Sequence, residues 1–147
     1  MGRTTIAVQA DLLIEANAQS LVARAAEQLG GPILWLVNNA STFEHDTIET
    51  AARDTWDQNI GSNLRAPFIL TQAMAAQELP QEFDAVGESI AVGLIVNLID
   101  QRVRKLTPDF MTYTLAKMGL WALTQTTARA LAPNIRVNAI GPRPKLQ

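Results

Sequence analysis

The stretch GGPILWLVNNASTF, Gly30–Phe43, decides how this chain is read. Gly30, Gly31 and Pro32 form a sharp helix stop, because glycine accepts the left-handed backbone at a helix end and proline cannot continue the helix. Ile33–Val37 (ILWLV) is then a short, unbroken apolar run, the pattern of a strand covered on its faces. Polar residues follow at once, in Asn38-Asn39-Ala40-Ser41-Thr42-Phe43.

Outward from this stretch the same alternation repeats. Thr5–Ala10 (TIAVQA), Val92–Leu98 (VGLIVNL) and Ile135–Ile140 (IRVNAI) read as further strands, and Ala16–Leu29, Thr55–Leu79 and Pro108–Leu131 as helices. Thr107-Pro108-Asp109 offers an N-cap, a proline at the first helical position and an acid in the first turn. Pro80–Ser89 reads as a surface loop. Strands alternating with helices imply an α/β fold, a partial Rossmann-like doubly wound parallel sheet with flanking helices, in one domain over residues 1–147. The last two helices are apolar over more than one stripe. A second apolar face is either extra burial within the domain or a surface for homo-oligomers.

Composition narrows the function classes. About half of the 147 residues are apolar and the formal net charge is −2, with no long basic run, so nothing marks a nucleic-acid binder. With no cysteine and the single His45, thiolate and histidine metal sites are out of reach, and FEHDT around His45 reads as a solvated loop. No apolar run approaches the roughly 20 residues of a membrane span, and the N-terminus carries no signal-peptide pattern, so the cytoplasm is the expected compartment.

In an open α/β sheet, ligands bind beyond the C-terminal ends of the strands. Those ends hold Asp11, then Asn38 to Phe43, then Asp100 in NLIDQR, then NAIGPRP with Pro142. Tyr113 and Lys117 lie four residues apart, neighbours on a helix face, and spacing alone leaves open whether they are a proton-transfer pair or a chance one.

Four motifs in order, LVNNAS, WDQNIGSN, YTLAK and IRVNAIGP, make the chain resemble the short-chain dehydrogenase/reductase family over nearly its whole length. Within it the chain looks most like the pteridine-reductase-like branch, which has an Asp where the wider family has a strand-end Ser. Asp100 stands thirteen residues before Tyr113, as in that branch, and Phe43 matches the aromatic that stacks on a pterin there.

The resemblance implies an NAD(P)H-dependent oxidoreductase, with NADPH the expected cofactor, NADH not excluded, and a pterin-like substrate. Tyr113 would be the proton donor and Lys117 the cation that stabilises its phenolate and holds the nicotinamide ribose. At about 4 Å and an effective dielectric near 20 that attraction is about 4 kcal/mol, roughly three pKa units. Asn63 would anchor a water chain to Lys117. Asn38, Asn39, Ala40, Ser41 and Pro142 would line the cofactor, and Asp11 would reach the adenine. Asp100, being an acceptor when ionised, would raise the Tyr113 pKa and relay a proton to a ring nitrogen; otherwise it ends a strand or pairs with Arg102 or Arg104.

Two departures stand beside the resemblance. No Gly-x-x-x-Gly-x-Gly pattern occurs, so the family's opening strand–helix–strand unit is expected to be missing, and so is its usual substrate lid after GPRP, where Arg143 also replaces a customary glycine. The alternatives are therefore a catalytically silent relative serving as a structural or interaction module, and a generic carbonyl reductase of the same family.

Overall fold

The structure, a computed structural model, describes residues 4–141. Helix α1, Glu15–Leu29, ends at Gly30 in the left-handed conformation (φ 75°), with the amides of Gly30 and Gly31 returning to Glu27 and Ala26 carbonyls. This is the stop that the two glycines predict. Strand β1, Trp35–Asn38, follows. Next come α2, Arg53–Ile60, a π-helical turn over Gly61–Arg65, and α3, Ala66–Ala75. Strands β2, Glu82–Phe83, and β3, Ser89–Ile90, form a small antiparallel ladder where the sequence suggests only a loop. Strand β4, Gly93–Leu98, a 3-10 turn at Gln101–Val103, helix α4, Met111–Ala130, and strand β5, Ile135–Ile140, complete the described chain.

The sheet has the order β1-β4-β5, all parallel, as the strand–helix alternation requires. Its register aligns Leu36, Ile95 and Val137 across the three strands on one face. That face carries the core: Met74, Ile95, Ile135 and Val137, with Leu36, Leu79, Ala128 and Leu131 packed on it. The aligned row on the other face is Val37, Val96 and Asn138, next to Trp35, Leu94 and Arg136. Here Trp35 is 74% and Val37 58% exposed. The apolar runs suggest strands covered on both faces; among the described residues the helices cover one.

The expected Thr5–Ala10 strand does not form. The segment runs without a ladder partner, its Gln9 carbonyl accepting from Arg24 Nη2 at 3.0 Å. An apolar run becomes a strand only where a neighbouring strand supplies backbone partners.

The single helix expected over Thr55–Leu79 is interrupted by the π turn. Pro67 has no N–H to donate and its ring crowds the carbonyl of Asn63 one turn earlier. The preceding turn widens, and the Ala66 amide reaches back to Gly61. Leu13 packs closely on Gly61, where a Cβ would lie 2.8 Å from Leu13 Cδ2 and push that side chain aside.

Helix α4 starts three residues later than expected, and Thr107 is not its cap. Phe110 precedes it in the left-handed region (φ 59°, ψ 48°), which a bulky side chain rarely adopts. The cap comes from Asp46, in the loop expected to be solvated. Its carbonyl accepts from the Phe110 amide at 2.7 Å, and its carboxylate from the Thr112 amide (Oδ1, 3.2 Å) and hydroxyl (Oδ2, 2.6 Å). Asp46 is 1% exposed, and the Thr112 hydroxyl also accepts from Asn59 Nδ2 of α2 at 2.8 Å. Asp46→Ala leaves buried donors unsatisfied and removes the cap, so urea unfolding is expected to show a loss of about 2 kcal/mol, against a smaller loss for Asp46→Asn.

Candidate active site

The C-terminal ends of β1 and β4 and the first turns of α4 converge on one cleft. Tyr113 is buried on the first turn of α4 and directs its hydroxyl at Asp100 Oδ2, 3.4 Å away. Asp100 sits just past β4 and caps the 3-10 turn there, its Oδ1 accepting from the Arg102 amide at 2.8 Å. The Arg102 guanidinium lies 3.6 Å from the same oxygen. Asp100 thus ends a strand beside Arg102 and also faces Tyr113.

Lys117, one turn beyond Tyr113, is buried and donates to the Leu98 carbonyl at 2.8 Å, with its Nζ 5.5 Å from the centre of the Tyr113 ring. Burial lowers its pKa, opposed by Asp100. The Tyr113 pKa is pushed up to about 12, first by burial and then by the Asp100 charge, while a hydrogen bond with Ser41 and the Arg102 charge pull the other way. The expectation that Lys117 drives the phenol down by some three units is corrected here. The ammonium faces the ring and the Leu98 carbonyl, and burial with a facing carboxylate outweighs it.

Asn63 is fully buried inside the π turn. Its Nδ2 donates to the Thr42 and Asn59 carbonyls, both at 2.9 Å, and its Oδ1 accepts from the Ser41 hydroxyl at 2.6 Å. It pins the loop after β1 to the end of α2. The π turn thus delivers an amide to the site, a common use of such bulges.

Asn38 Nδ2 donates across the sheet to Asn97 Oδ1 at 2.7 Å, and Asn97 Nδ2 to the Thr124 hydroxyl at 2.9 Å. Its own Oδ1 is buried without a partner. Asn38, Asn39 and Ala40 line an apolar cavity of about 230 Å³ between β1, α1 and α3. Asp11 is exposed and holds the turn into α1, its Oδ1 accepting from the Leu13 amide at 2.9 Å. Pro142 and Arg143 lie outside the described residues.

Phe43 reaches the site, but its ring face is taken. It stacks on Phe110 with centroids 4.1 Å apart and planes 5° from parallel, and meets Tyr113 edge-on at 4.6 Å. The Arg102 guanidinium carbon lies 4.7 Å from the Phe110 centroid and 5.4 Å from that of Phe43. Sequence reasoning misses Phe110 and Asp46. Neither belongs to a motif, and each matters through a contact with a segment far away in the chain.

Tyr113 is the only tyrosine, so its ionisation can be followed directly in the tyrosinate absorbance. Asp100→Asn is expected to lower the midpoint from about 12, by removing a facing negative charge. The sign for stability follows from a folded-state pKa above the unfolded one. The contribution is complete below about pH 10 and is lost as pH rises toward about 12, so alkaline unfolding steepens in that window and less so in Asp100→Asn.

Known proteins with this arrangement are numerous. The family model for short chain dehydrogenases matches residues 1–144. The crystal structure of FolM alternative dihydrofolate reductase 1 from Brucella canis, complexed with NADP, superposes with a TM-score of 0.79 at 46% identity, over 95% of this chain and 52% of that one. The probable galactose dehydrogenase GalD of Rhizobium meliloti is 32% identical over 92% of this chain and 49% of its own length. Hydroxyacyl-CoA dehydrogenase ChsB1 of Mycobacterium tuberculosis is 34% identical over 97% of this chain and 44% of its own. The chain thus spans about half the length of these relatives. Helix, loop and strand ends bring Ser41, Asn63, Tyr113 and Lys117 to one cleft, the family model runs through almost every position, and the chain belongs to the short-chain dehydrogenase family.

Proposed function

We propose that this chain carries the proton-delivery half of an NADPH-dependent reductase whose substrate is a pterin-like ring. The observation that carries the reading is the Tyr113–Asp100 contact at 3.4 Å, in a cleft where the Phe43 ring meets the Tyr113 ring edge-on at 4.6 Å. The likeness to a dihydrofolate reductase that binds NADP supports both the ring class and the cofactor.

The residues fit one end of a dinucleotide. Lys117 and Tyr113 on α4 and the Ser41–Asn63 pair would hold the nicotinamide ribose side, with Asn38, Asn39 and Ala40 beside them. A glycine-rich phosphate cradle is not among this sequence's motifs. When bound, the nicotinamide supplies a hydride. The chain's own groups manage the proton. At neutral pH the phenol holds its proton, but a pKa of about 12 makes it a weak acid, so transfer calls on the Lys117 cation as negative charge develops on the oxygen. Asp100 gives the proton an acceptor-side partner suited to a basic ring nitrogen, where a carbonyl oxygen would favour a hydroxyl donor. Lys117, held on the Leu98 carbonyl, keeps a cation beneath the ring on which negative charge develops.

The second reading, a generic carbonyl reductase, is favoured by the relatives named for a sugar and an acyl-CoA. Titration of the purified chain with NADPH, followed by fluorescence, is expected to give binding tighter than about millimolar; weaker binding sinks the reductase reading for this chain. Tyr113→Phe is expected to abolish dihydropterin turnover and leave binding largely intact. Asp100→Ser is expected to slow pterin reduction more than reduction of a simple carbonyl, and equal losses favour the carbonyl reading.

A further inference from the structure

We propose that Phe110 is a built-in stand-in for the substrate ring. It fills the stacking place on Phe43, and a flat heteroaromatic ring with an acceptor atom on its edge takes that place and satisfies Arg102 Nε.

Three observations converge. First, Phe110 lies on Phe43 as a planar ligand would, nearly parallel and 4.1 Å away, and Phe43, itself 50% exposed, turns its edge to Tyr113. A ring stacked on Phe43 is thereby set on a side chain that itself touches Tyr113, with His45 edge-on to the stacked Phe110 ring at 4.9 Å. Second, Arg102 has a side chain only 17% exposed and lies across both rings, yet its Nε is buried with no acceptor. A buried guanidinium donor without a partner is costly, so a ligand acceptor that reaches it is favoured. Third, Phe110 sits in a left-handed backbone conformation, its amide N–H donating to the Asp46 carbonyl at 2.7 Å. Such strain clusters where a side chain is being aimed.

The internal stack has a consequence for selectivity. A ligand must displace the Phe43–Phe110 contact and regains it only if the ligand is itself flat and aromatic. A sugar or an acyl chain loses the stack without replacing it. Phe110 is in this sense a specificity-determining residue, and Arg102 Nε reads a ring carbonyl or ring nitrogen. The inference rests on the pterin reading only for the choice of ring; it requires neither cofactor nor turnover.

The test is equilibrium titration of the chain with a fluorescent pterin, without NADPH. Two rings stacked on each other should respond in opposite directions. Phe110→Ala is expected to tighten binding by about two- to tenfold, the range of one aromatic stack, and Phe43→Ala to weaken it by at least as much. Phe110→Gly, which also relieves the positive φ, serves where the alanine variant fails to fold. Arg102→Lys, which lacks the Nε donor, is expected to weaken binding in the Phe110→Ala background. A Phe110 variant that binds more weakly or unchanged, or absence of binding in both the parent and the Phe110 variants, overturns the proposal. If the opposite signs appear and NADPH yields no reduction, the stand-in survives and the reductase reading falls.

Discussion

One buried carboxylate organises the site. Asp46 closes the N-terminus of α4 from a loop 66 residues earlier, and without it the first amides of that helix face the interior unpaired. The same contact holds the Phe110 backbone and, through Thr112 and Asn59, ties α4 to α2. Tyr113 is the next residue along, so the direction of its hydroxyl is inherited from this cap. A carboxylate is also the favoured cap where the positive end of a helix dipole meets the interior.

The loop after β1 is held just as firmly from its other side. Asn63 takes the Ser41 hydroxyl and the Thr42 carbonyl, and the Ser62 hydroxyl accepts from the Thr42 amide at 3.1 Å. These groups point at the loop because Pro67 forces the helix to widen just before it. Gly119 completes the fit, since a Cβ there would lie 2.7 Å from Leu64 Cδ2, so α4 can lie close against the π turn. Backbone irregularity, not regular helix, brings the strand ends and α4 within reach of each other.

The sheet is asymmetric. Its helix-bearing face holds the core and an interior chain of amides from Asn38 through Asn97 to Thr124. Its other face shows Trp35 and Val37 to solvent among the described residues.

By itself the sequence determined the alternation of strands and helices, the parallel sheet, the stop at Gly30, the motifs that mark Asn63, Tyr113 and Lys117, and the register that marks Asp100 thirteen residues before Tyr113. Those features are local, depending on periodicity, on the backbone preferences of Gly and Pro, or on residues a few positions apart. The tertiary structure decided what depends on distant partners. Thr5–Ala10 has strand composition but no strand beside it. Asp46 looks like a loop acid until α4 arrives to be capped. Lys117 has the right spacing to lower the Tyr113 pKa, yet burial and Asp100 set its direction. Phe43 has the right place to stack on a ring, and only packing reveals that Phe110 is already there. Spacing along a chain states which side chains can meet, whereas burial, charge and competing contacts decide what each meeting does.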